Sequence, residues 1–226
     1  LSLHLLNTAD FTEFSAASQR LSGQSDLQVR SAQATFDESL YPALAKRSDI
    51  ELANPVLELD VAIPGNPETR GNATLKILGL DIFRASDIDP DLIGIPAEDR
   101  LFDILADDAI FLSPAAMEWL KVKRGDPLKL RVGTQTITLR VAGGLVRTRA
   151  GQRIGVMDIG AAQWRFQRIG QLSRIELKLM PGIHHEAFKT ALAQELGGQY
   201  LVTDKADQEA RVASMSPPYR VTLHLP

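Results

Sequence analysis

The chain carries 226 residues, 44% of them hydrophobic and 23% charged, with a formal net charge of −3 and no cysteine. That length accommodates one large domain or two modest ones with a real core, and the missing thiols exclude disulfide scaffolds, cysteine nucleophiles and cysteine-based zinc sites. The near-balanced charge leaves no electrostatic footprint for nucleic acid or an anionic membrane surface, and no run of about 18 apolar residues is present to span a bilayer.

The opening "LSLHLLNTAD" lacks the basic flank and small-residue cleavage site of a signal peptide. Both ends read as cut from a longer polypeptide. Leu6, Ala9, Phe14, Ala17 and Leu21 recur at roughly helical spacing before Gly23, so residues 5–21 read as an amphipathic helix. "DLQVR" (26–30) alternates as a short strand. "TFDE" (35–38) has the Thr-x-x-Glu form of a capping box ahead of Leu40, Leu44 and Ala45, and Pro42 should kink or restart that helix. A long strand follows at 50–63, turned back by "PGNPETRGN" into a partner at 73–83.

Residues 84–109 read as irregular and acidic. "AIFL" is then a short buried strand, and Ser113 caps a helix with Pro114 at its first position. "PLKLRVG" and "QTITLRVAGGL" form a hairpin about Gly133-Thr134, followed by a strand at 153–159 and a brief helix in "GAAQWRFQRIG". A strand at 172–180 and a helix at 184–196, with Phe188, Leu192 and Leu196 inward, lead to "QYLVTD" and a last helix beginning in "DQEARVASM". Residues 26–63 and 172–204 thus each read strand–helix–strand around a β-rich block. The expectation is an α+β fold, one subdomain built from both ends and a second inserted between them. A helix at each end then places both termini on one side.

Three stretches carry a family likeness: "IELANPVLELDVAI…LKILGLDIFR", "AIFLSPAAMEWLKVKRGDPLKLRVGTQTITLRVAGGL" and "VMDIGAAQWRFQRIGQLSRIELKL". In that order they resemble the extracytoplasmic domain of MacB/FtsX-type ABC transporter permeases, over about residues 24–204. The resemblance implies a porter-like subdomain at 24–83 and 171–205, an inserted Sabre-like subdomain at 84–170, an N-terminal stalk helix at 1–23 and a C-terminal stalk and tail at 206–226. It implies a periplasmic domain of a bacterial inner-membrane protein, without enzymatic activity or cofactor of its own. Its partners would be an ATP-binding subunit reached through a transmembrane part, a lipid or lipoprotein cargo, a periplasmic or outer-membrane protein, and a second permease copy in a dimer. The tail "SPPYRVTLHLP" departs from the smooth helix expected to enter the membrane.

Few residues look chemical. Asp87, Asp89, Asp91 and Glu98 fall at positions one, three, five and twelve of a calcium loop, but Leu92 stands where that loop needs Gly, and an acidic solvated loop is the alternative. His184, His185 and Glu186 are consecutive, so on a helix they point about 100° apart and cannot chelate one ion unaided. No nucleophile elbow and no phosphate-binding glycine loop is present. The contact candidates are Leu6, Phe14 and Leu21 on the stalk, and Trp119, Trp164 and Phe166 on short helices, where core packing competes with a partner surface. A stand-alone lipid-binding module or hydrolase is the competing functional class.

Overall fold

The computed structural model describes residues 25–65, 74–148 and 150–215. The expected helix at 5–21, and with it Leu6, Phe14 and Leu21, lies outside them.

The two ends of the chain build one side of the molecule. β1 (Leu27–Ser31) pairs antiparallel with β12 (Tyr200–Thr203) on one edge and with β11 (Arg174–Leu179) on the other. β11 in turn pairs antiparallel with the first half of β3 (Ile50–Ala62). Alternation divides these strands into two faces. Leu27, Val29, Ala53, Ile175 and Leu177 point into a core closed by Leu44 of α1 (Leu40–Ala45) and by Phe188 and Leu192 of α5 (His185–Leu196). α1 starts later than the sequence suggests. Phe36–Asp37 (β2) is consumed in a two-residue pairing with Gln171–Leu172 (β10), and the Thr35 hydroxyl donates to Gln171 instead of capping. Pro42 then falls in the first helical turn, where its missing N–H has no partner to lose.

β3 continues into a second structure. From Val56 onward it pairs with β4 (Thr74–Leu80), which pairs parallel with β9 (Ile154–Asp158). β9 pairs with β6 (Ala109–Leu112), β6 with β8 (Gln135–Leu145), and β8 with β7 (Pro127–Val132). β7 returns to β3 at Ala62↔Arg131, so these strands close into a small barrel. Leu57, Val61, Leu75, Ile77, Leu112, Leu130, Leu139 and Val141 fill its interior, with Trp119 of α3 (Pro114–Leu120) and Ala162 of α4 (Ile159–Arg165) packed into the same cluster. The β7–β8 loop holds Gly133 at φ 59, the first central position of a two-residue turn, where a side chain is disfavoured. β5 (Gly94–Pro96) adds the outermost strand against β8.

Pro55 sits one residue before β4 begins to pair, where only β11 lies beside β3, so its missing N–H costs no ladder bond to β4. The span read as irregular begins with a helix, α2 (Ile82–Ile88), because Asp81 accepts from the Phe83 amide at 3.0 Å and Ala85 and Ile88 are buried. Ser113 caps α3 as expected, accepting from Ala116 at 3.2 Å.

α4 lies against β4 at Gly79, where an added Cβ would stand 2.8 Å from the Ala162 Cβ and 3.3 Å from the Ile159 backbone. Gly79→Ala should therefore cost about 1–3 kcal/mol through overpacking, measured as a lowered urea midpoint at unchanged slope.

Candidate functional site

The strands that carry the two chain ends meet in register. Gln28 opposes Thr203, so the chain enters at Ser25–Asp26 beside the point where it leaves at Asp204. Both exits are tied down. The Asp26 amide donates to Leu177 O at 2.8 Å, and its carboxylate accepts from the Leu179 amide at 2.8 Å. Asp204 opens α6 (Lys205–Met215) in a reciprocal cap: the Asp207 amide donates to Asp204 Oδ1 at 2.8 Å, and the Asp204 amide to Asp207 Oδ2 at 3.0 Å. Lys189 of α5 donates to both carboxylates, at 3.0 Å and 2.7 Å. The Asp207 amide, despite burial, holds the Asp204 carboxyl below its usual range, and the two acceptors raise the Lys189 ammonium.

The face opposite the apolar core carries buried charge. Arg174 is 1% exposed; its Nε donates to Glu176 at 3.0 Å and its terminal nitrogen to Glu58 at 3.1 Å. Lys76 on β4 bonds Glu58 at 3.2 Å and Asp60 at 3.3 Å. The chain of charge thus runs from β11, through β3, to β4 in the barrel. Burial disfavours the Arg174 cation, yet Glu58 and Glu176 outweigh it and raise its pKa. Glu58 is likewise pushed up by burial, but Arg174, Lys76 and Arg30 bring it below its usual value. Glu176 stays raised, because its burial exceeds what Arg174 returns. Arg30 on β1 is pulled down to about 10 by burial, with Arg174 adding repulsion and Arg211 of α6 contributing. The field of the exit helix is thus felt at Arg30, while the network's direct contacts run to the barrel.

Asp89 joins it from the loop after α2. Its side chain is buried with Oδ2 unpaired, and burial, with Glu176 and Asp91, pushes its carboxyl to about 7. It does not form a calcium loop with its neighbours. Asp87 is exposed on α2, Asp91 lies in the 3-10 turn Pro90–Leu92, Glu98 is exposed, and Leu92 is buried in the core. No group of His, Asp and Glu able to hold a metal gathers among the described residues. His184 caps α5, accepting from the Ala187 amide at 3.2 Å, while His185 faces Asp26 at 3.9 Å.

The aromatic candidates separate. Trp119 and Phe166 are core residues, 6% and 1% exposed, since α3 and α4 turn them into the barrel cluster; neither offers a contact surface. Trp164 is 57% exposed, under the Arg165 guanidinium at 5.0 Å, and it lines an open groove of about 800 Å³ with Thr136, Ile137, Thr138 and Ile169. The buried charges were the residues that sequence reading missed. Their signal was polar alternation opposite apolar alternation in β3 and β11, a pattern that also fits a solvated face.

No protein-family model matches the sequence, and no curated protein matches it. Solved structures do. The periplasmic region of MacB from Actinobacillus actinomycetemcomitans superposes with TM-score 0.56 at 10% identity, over 86% of this chain and 95% of that one. The chain has the fold of a MacB periplasmic domain. The extracellular domain of YknZ, a noncanonic ABC-type transporter from Gram-positive bacteria, gives TM-score 0.55 at 14% identity, over 80% and 99% of the two chains. This MacB-like fold carries the two exits and the buried charge described above. No helix among the described residues is long and apolar enough to cross a membrane.

Two outcomes follow for the buried charge. Arg174→Ala leaves the buried Glu176 without its ion-pair partner and Glu58 with Lys76 alone, and should lower stability by about 3–5 kcal/mol in urea unfolding. The raised Asp89 makes the folded state hold a proton that the unfolded state releases, so stability falls from about pH 4 to pH 7 and the loss is complete above that. Asp89→Asn should therefore exceed the parent by about 2–4 kcal/mol at pH 8, and match it near pH 3.5.

Proposed function

We propose that this chain is the extracytoplasmic domain of a MacB/FtsX-type ABC transporter permease. It couples ATP hydrolysis on the cytoplasmic side to movement of an amphipathic cargo, a lipid or lipoprotein, or to engagement of an envelope partner. The observation that carries the reading is the Gln28↔Thr203 register: entry and exit stand side by side. Two neighbouring supports can push a rigid body; supports at opposite poles could not do so together. α6 supports the same reading, since most of its described side chains are exposed and the Lys189 cap ties its start to α5. On this reading residues 1–23 and 206–226 are stalk and tail, 24–83 and 171–205 form the porter-like part, and 84–170 form the inserted part, whose strands β6 to β9 share the barrel with β3 and β4.

A stand-alone lipid carrier would need a deep apolar cavity. Side chains fill the barrel, which favours the mechanical reading. An inserted flexible Gly-Ser segment near Gly23 in the full-length permease should abolish transport while ATP hydrolysis continues. Transport at the parental rate would refute the coupling.

A further inference from the structure

The groove beside Trp164 contains an unfinished strand edge. β8 runs from Gln135, but β6 takes up its outer edge only at Ala109↔Arg140, where the Arg140 amide donates to Asp108 O at 2.7 Å. Antiparallel alternation gives Thr138 and Thr136 the same outward direction as Arg140, because β7 occupies the other edge through Val132↔Gln135, Leu130↔Ile137 and Leu128↔Leu139. Among the described residues nothing pairs the outward N–H and C=O groups of Thr136 and Thr138. An exposed strand edge of this kind is a template for a further strand.

The surroundings say which strand. Trp164 and Ile169 are 57% and 71% exposed and border the groove with Ile137, so they offer apolar anchorage. Lys129 and Arg131 of β7 stand directly opposite Thr138 and Thr136 of β8, all four on the outer face and all exposed. Neither makes an ion pair with a described residue. Arg168, beside the groove, spends its guanidinium on the carbonyls of Phe166 and Gln167. Strands lie about 4.8 Å apart, so the long basic side chains reach over β8 to an added neighbour. We propose that this edge receives an extended segment of a partner protein, paired to Thr136 and Thr138, with acidic side chains toward Lys129 and Arg131 and apolar ones toward Trp164 and Ile169. Main-chain bonds supply the affinity in such an addition, and the alternating side chains supply the choice of partner.

The probe is a nine-residue peptide of alternating Val and Glu, added to the 226-residue chain and followed by amide hydrogen exchange. Exchange at Thr136 and Thr138 should slow at least tenfold at saturation. The same peptide N-methylated at alternate residues, and a Val–Lys analogue, should bind at least tenfold more weakly. Thr138→Pro deletes an outward donor and leaves the β7 ladder intact; it and Trp164→Ala should each weaken binding at least tenfold. If the proline variant unfolds, the N-methylated peptide makes the same test on the unaltered chain. Unchanged exchange overturns the proposal, as does equal binding of the Val–Lys peptide. So does protection that rises with protein concentration alone, which would assign the edge to a second copy.

Discussion

The Arg174 guanidinium is buried at the place where β3 changes partners, and the rest of the architecture depends on that contact. β11 leaves β3 at Val56, and β4 joins it there. A strand handed from one neighbour to another is free to slip unless something fixes both sides. Ser173 does part of this: its amide donates to Val56 O, and its hydroxyl accepts from the Glu58 amide. Arg174 does the rest, binding Glu58 within β3 while Lys76 of β4 holds the same carboxylate. A one-residue slip of β3 would turn Glu58 into the barrel and Leu57 out of it. An apolar pair could fill the space equally well, but it would be indifferent to register in a way that directed ion pairs are not.

The barrel then accounts for the stiffness of the second half. Closure at Ala62↔Arg131 removes most free edges, and the interior is packed with branched and aromatic side chains. Among the described residues, two edges of the barrel invite comparison: β5, the short outermost strand, and the first five residues of β8. They differ physically. β5 is three residues long and contains Pro96, which gives little to pair with. The β8 edge is longer, flanked by exposed aromatic and basic side chains, and carries no proline.

Much of this organisation was legible in the chain. The alternation in 50–63 and 172–180, the Ser113-Pro114 start and the Gly133 turn each rest on local rules, and each element formed within a residue or two of its expected bounds. The failures were of the opposite kind. Thr35 looked like a cap because Glu38 follows at the right spacing, but a distant strand, β10, claimed the segment first. α2 was hidden in an acidic stretch because its burial comes from Ala85 and Ile88 alone. Barrel closure could not be read, since a single bridge between β3 and β7 leaves no local trace. Trp119, Trp164 and Phe166 looked alike in sequence, and only the direction of each short helix separated core from surface.

These elements form one continuous path. Lys189 fastens α6 to α5 through Asp204 and Asp207; β12 pairs with β1, β1 with β11, and β11 with β3, which is itself a stave of the barrel. Every step is a hydrogen-bonded ladder or a charge-assisted contact, and none is a flexible linker. A displacement delivered at the two adjacent exits would therefore reach the barrel as motion of a solid body, because packed interfaces resist gradual deformation. On the proposed reading, the buried charges have a mechanical purpose. Ion pairs that tie β11, β3 and β4 together oppose shear between the end-built sheet and the barrel, which is the one deformation that would let the supports move while the barrel stayed behind.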